Sequence, residues 1–255
     1  MQKITQSQMI KGGERNRIEF DSRQLKRIYM EKIYTIPVNE AFDACAEDKE
    51  KGCPFCEMYR CLEEKELEII LGASMMEPDI RIKTNEMGFC NKHFTMMLKR
   101  KNRLGLALML ESHLDHLKKE ASGVNGLKKI GKINDSCYVC SRINNNFDKM
   151  FETAAWLYDK DKTFEEKTRN QSYFCMHHYH KFLTAGKGVL NKRKYTDFEA
   201  LVQKVNADYL ETLQADVSWF CKKFDYRFKD EPWGNSKDSP ERAIKFLTGS
   251  NEAEE

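Results

Sequence analysis

Hydrophobic residues recur along this chain at spacings of three and four, and almost nowhere in sustained alternation. Val139, Ile143, Phe147, Met150, Ala154 and Leu157 fall at helical spacing, and Phe198, Leu201, Val205, Tyr209, Leu213, Val217, Phe220 and Phe224 form one long stripe. Apolar positions three and four apart share a helix face, whereas a half-buried strand alternates with period two. The pattern predicts an all-α fold. Turn residues set the element ends. Asn39 caps a predicted short helix reaching about Glu50; Gly52-Cys53-Pro54 stops it and starts another, which runs to about Leu71 and ends at Gly72. Residues 73–88 read as a loop, followed by one helix to about Arg100 and another over 104–121. Gly123, Gly126 and Gly131 mark a boundary. The long stripe predicts a helix roughly 40 Å in length, at 1.5 Å per residue, able to brace what precedes it. Pro240 opens a short closing helix that Gly249 stops.

The helical punctuation carries a second pattern. Cys53 and Cys56 form a C-x2-C pair, and 33 residues later Cys90 and His93 form a C-x2-H pair. Cys137 and Cys140 repeat the first pair, and Cys175 and His178 repeat the second after 34 residues. The flanks agree: at an offset of 85, Asn85 falls on Asn170, Phe89 on Phe174, Phe94 on Tyr179, Met97 on Phe182 and Leu98 on Leu183. Self-similarity at a fixed period predicts duplication of one structural unit. The expected organisation is a flexible polar arm over 1–32, a first metal-binding repeat over 33–122, a second over 132–190, and a bracing helix with its tail over 194–255.

Zinc takes four thiolate or imidazole ligands in a tetrahedron, and two ligands three positions apart can reach one ion from a single turn. Sequential reading closes one Cys3His set in each half: Cys53, Cys56, Cys90 and His93, then Cys137, Cys140, Cys175 and His178. Both pairs of each set lie where a helix begins, and unpaired N–H groups there favour thiolate. Four protein ligands leave no open position for water, so two structural Zn²⁺ ions are expected, each contributing on the order of 10 kcal/mol to folding. An iron–sulfur cluster is the alternative, since thiolates also ligate iron. His177 reads as a surface or supporting residue beside the ligand His178.

Composition narrows the function. The 255 residues include 43 basic and 40 acidic side chains, for a net charge of +3, with 40% hydrophobic residues and only 13 Gly and 5 Pro. That is chain enough for a real core. The mild charge does not announce a nucleic-acid binder. Basic segments at Lys99, Arg100, Lys101 and Arg103 and at Lys192, Arg193 and Lys194, with aromatic and basic residues interleaved from Trp219 to Trp233, keep nucleic acid as an alternative partner. An enzyme using Glu77, Asp79 and Arg81 in the 73–88 loop is another, although no phosphate-cradling or nucleophile-elbow motif is present. His113, His116 and Glu120 share a face that reads as solvated; Cys45, Cys61 and Cys221 read as buried thiols. The longest apolar run, 104–110, has seven residues, against the roughly 20 needed to cross a bilayer. No membrane partner and a cytoplasmic location are therefore expected, with the nine cysteines reduced. The reading is a zinc-binding interaction module with a protein partner.

Gly72-Ala73-Ser74-Met75-Met76-Glu77-Pro78-Asp79, Arg81-Ile82-Lys83-Thr84-Asn85-Glu86 and Gly88-Phe89-Cys90 resemble a bacterial family of unknown function found mainly in clostridia. The closing Pro240-Glu241-Arg242-Ala243-Ile244-Lys245-Phe246-Leu247-Thr248-Gly249 resembles that family's C-terminal signature, so the likeness covers roughly 33–249. It implies a class without an activity. Pairing a C-x2-C with a helix-borne C-x2-H is also similar in outline to treble-clef zinc modules, from which the long insert departs.

Overall fold

The computed structural model describes residues 22–250, with side chains from residue 33 onward. Residues 1–21 of the arm expected over 1–32, and the tail 251–255, lie outside the described residues; 22–32 belong to a helix. Within them the chain is all α-helix with short 3-10 turns, and no strand occurs. Eleven helices are described: α1 (Ser22–Glu47), α2 (Pro54–Leu71), α3 (Pro78–Met87), α4 (Asn91–Lys99), α5 (Arg103–Ala121), α6 (Gly126–Asn134), α7 (Tyr138–Lys160), α8 (Lys162–Arg169), α9 (Met176–Val189), α10 (Lys192–Lys222) and α11 (Ser239–Thr248).

Several elements differ from the sequence reading, each for a local reason. The first helix does not start at Asn39. It starts at Ser22 and continues through Pro37, and Asn39 is an interior residue whose side-chain amide donates to the Thr35 carbonyl at 3.0 Å. An interior proline removes one main-chain hydrogen bond, but packing holds this helix: Val38, Phe42 and Cys45 are fully buried on one face. The 73–88 loop is a 3-10 turn over Ala73–Met76 followed by α3, whose first-turn Pro78 suits a helix start. The glycine boundary holds α6, opened by Asn125 in the left-handed region.

Core positions follow from the helical stripes. Phe42 of α1 packs on Phe55 of α2, Phe164 of α8 and Phe182 of α9, with centroids 5.7, 4.6 and 6.4 Å away. Phe55 stacks on Phe151 of α7 at 4.1 Å. One continuous set of buried residues runs from Val38 to Phe246, so the segments divided in the sequence share a single interior. Bracing falls largely to α1, which packs on α2, α7 and α8. The long α10 lies chiefly against α8, α9 and α11; its stripe is buried at Phe198, Leu201, Val205 and Leu213 and half-buried at Tyr209, while Phe224, beyond the helix end, is exposed.

Candidate metal centres

Four helices begin at a cysteine. Cys53, Cys90, Cys137 and Cys175 each occupy the N-cap of α2, α4, α7 and α9, and none of their side chains caps its own helix. The partner in each motif, Cys56, His93, Cys140 or His178, follows three residues later, in the first helical turn. The first turn of a helix leaves N–H groups unpaired and carries the positive end of the dipole. Each motif therefore aims two ligand atoms from a surrounding that favours negative sulfur.

The motifs meet in an order the sequence reading did not foresee. Cys53 and Cys56 join Cys175 and His178 in a first centre; Cys90 and His93 join Cys137 and Cys140 in a second. All eight candidate residues are brought together, but each C-x2-C is completed by the C-x2-H of the other half. The sequential sets, Cys53/Cys56/Cys90/His93 and Cys137/Cys140/Cys175/His178, are corrected accordingly. The physical reason lies in helix length. Cys90 and His93 return to the chain beside Glu63, nine residues past Pro54, or about 13 Å along α2 and well away from Cys53 and Cys56.

Backbone contacts across the halves lock the crossing. At the second centre the Tyr138 N–H donates to the Gly88 carbonyl at 3.0 Å, and the Ser136 hydroxyl donates to the Met87 carbonyl at 2.8 Å. At the first, Gly52 lies against Tyr173. Its φ is +71°, and an added Cβ would stand 2.5 Å from the Tyr173 hydroxyl oxygen, so position 52 requires glycine twice over. Asn206 of α10 grips the backbone just before Cys175, accepting from the Phe174 N–H and donating to the Phe174 carbonyl, both at 2.8 Å.

Ligand-atom spacings are those of a small tetrahedron. In the first centre Cys56 Sγ lies 3.8 Å from Cys175 Sγ, and His178 Nδ1 lies 3.7 and 3.4 Å from the sulfurs of Cys53 and Cys56. In the second, Cys90 Sγ and Cys140 Sγ are 4.0 Å apart, and His93 Nδ1 lies 3.1, 3.2 and 3.5 Å from the sulfurs of Cys90, Cys137 and Cys140. A tetrahedron with zinc–sulfur bonds of about 2.3 Å has sulfur–sulfur edges of about 3.8 Å and sulfur–nitrogen edges of about 3.5 Å. Both histidines present Nδ1, and His178 takes the place that the register assigned to it; His177 stands exposed beside it.

The surroundings differ. All four residues of the first centre are buried, and the His178 ring packs among Phe55, Phe147 and Phe151. The chain end closes over this centre: the Ser250 N–H donates to Cys56 Sγ at 3.4 Å, and Gly249 lies so close that a Cβ would touch both Cys56 and Cys175 sulfurs. In the second centre Cys90 and Cys140 are half-buried. Burial pushes the Cys137 thiol up there, but hydrogen bonds with His93 and from the Cys140 and Cys90 backbones bring it down to about 6. Burial alone would lower His93, yet the Cys137 sulfur and the Glu63 carboxylate raise it to about 10.

Other candidates have structural occupations. Arg81 donates to the Leu108 carbonyl at 2.7 Å, while Glu77 and Asp79 are exposed at the start of α3. His113 is buried, not solvated as read, and pairs through Nδ1 with the Asn85 carbonyl at 3.1 Å. Lys223 is buried and donates to the carbonyls of Phe228, Lys229 and Glu231, which removes it from a phosphate-binding role. Cys45 is buried and Cys61 half-buried, but Cys221 is exposed. Among the described residues, no helix is long and apolar enough to cross a membrane.

A family model described as a family of unknown function, DUF6062, matches residues 29–254 and so includes both centres. No curated protein and no solved structure matches the chain. The chain therefore belongs to the DUF6062 family of unknown function.

Proposed function

We propose that this protein binds two Zn²⁺ ions as structural cross-links and acts as a binding module whose partner is another protein. The observation that supports metal binding is the closeness of the ligand atoms: within each centre all four lie within 4.8 Å of one another. A polynuclear iron–sulfur cluster puts its thiolates on different irons and spreads the sulfurs further apart, so the spacing favours a single ion. Three thiolates and an imidazole fit Zn²⁺, with Cys53, Cys56, Cys175 and His178 holding one ion and Cys90, His93, Cys137 and Cys140 the other. A set closed by four protein ligands offers no position for substrate or water, which supports a structural role.

Thiolate ligation needs a reducing compartment, so the reading places the protein in the cytoplasm. The interaction role is supported by a cleft of about 710 Å³ between α2 and α11, with Cys56 of the first centre, and Glu63 and Lys92 beside the second, among its walls. Metal loading would then shape the surface offered to a partner.

Elemental analysis of the purified full chain tests the reading. Two zinc ions per chain are expected, with removal by a chelator lowering the unfolding temperature by tens of degrees, since structural zinc supplies on the order of 10 kcal/mol. Iron with inorganic sulfide, or a metal-free chain of undiminished stability, would contradict it.

A further inference from the structure

Seven residues past Cys56, α2 carries Glu63; seven residues past Cys140, α7 carries Phe147. Each meets the histidine of its own half. Phe147 packs its ring on His178 at 5.4 Å. Glu63, only 3% exposed, places Oε1 2.9 Å from His93 Nε2 and 2.7 Å from Lys92 Nζ. The same register position thus supports one histidine by an aromatic face and the other by a carboxylate.

His93 turns Nδ1 to three sulfurs, so Nε2 carries the proton that Glu63 accepts. A carboxylate on the outer nitrogen fixes the tautomer and ring orientation of a ligand histidine and makes its inner nitrogen a better donor. Lys92 offsets the buried carboxylate, so the second centre is not left facing an uncompensated charge. Resting on the metal reading above, we infer that Glu63 is the positioning residue of the second centre: it holds His93 with Nδ1 toward the ion, from a helix whose own start belongs to the first centre. Among the described residues no carboxylate pairs with His178, whose ring packs among Phe55, Phe147 and Phe151.

The test uses the full chain loaded with Co²⁺, whose visible absorption reports tetrahedral thiolate–imidazole ligation, in competition with a chromophoric chelator that resolves two affinities. Glu63→Met keeps the side chain's length and removes the acceptor; one of the two affinities should fall 10- to 100-fold, with the other within threefold of wild type. Glu63→Gln, which keeps an accepting oxygen, should recover most of the loss. Equal loss at both sites would mark Glu63 as a residue of the fold alone and overturn the inference, as would no loss at either. The imidazole ¹⁵N spectrum of the Zn²⁺-loaded wild type gives a check that needs no variant: His93 should be metal-bound at Nδ1 and protonated at Nε2, and binding through Nε2 would also overturn it. Fewer than two ions bound by the wild type would defeat the metal reading itself, and this inference with it.

Discussion

Asn206 sits on the buried face of α10 and holds both polar groups of the Phe174 backbone, one residue before the candidate ligand Cys175. Removing it leaves a buried donor and acceptor unpaired, and each such group costs about 1–3 kcal/mol. Asn206→Ala should therefore lower stability by about 2–3 kcal/mol in urea unfolding of the Zn²⁺-loaded chain, more than an exposed Asn→Ala change on the same helix. A loss below about 0.5 kcal/mol would show that the clamp is dispensable. Sequence could not single out Asn206, because one polar residue beside an apolar stripe looks like any solvated position. The same holds for Glu63: its value comes from a histidine 30 positions away. Cys53, Cys56, Cys90, His93, Cys137, Cys140, Cys175 and His178 were legible because their spacing repeats; their supports do not repeat, since Glu63 has Phe147 as its counterpart.

Among the helices, the long ones α2, α5, α7 and α10 are readable from the chain, and the missed ones are short. The pairs α3–α5 and α5–α6 show why: α3 and α6 are 10 and 9 residues long, too short to be stable alone, and exist because α5 covers them. His113 is part of that cover, lying against Gly88 and bonded to the Asn85 carbonyl of α3. Burial holds its pKa below the ordinary 6.5. The folded chain then binds fewer protons than the unfolded chain as pH falls below 6.5, so this contribution is complete above that pH and is lost as pH falls toward the lower folded value. His113→Gln should show a smaller drop in urea midpoint than wild type between pH 7 and pH 5. An identical drop in both would mean that His113 does not titrate on unfolding. The same scale covers α1, whose Phe42 touches helices of both halves: Phe42→Ala should cost about 3–5 kcal/mol in unfolding, near the top of the range for core truncations, and a cost under about 1 kcal/mol would show that α1 does not anchor the interior.

At the scale of the molecule the crossed pairing matters most. Ligand identity follows from spacing, but ligand partnership follows from where helices return, and the same eight residues serve sequential or crossed topologies equally well. Crossing ties α2 to α9 and α4 to α7, so each centre joins segments more than 40 residues apart, and the two halves of the chain share one interior instead of forming two beads. Counting zinc in paired variants, in the presence of a competing chelator, tests this most directly. Cys56→Ser with Cys175→Ser removes two ligands from one crossed centre and should leave one zinc per chain; Cys56→Ser with Cys90→Ser strikes both centres and should leave none. The reverse result, none in the first pair and one in the second, would show that each half closes its own site and would contradict the account.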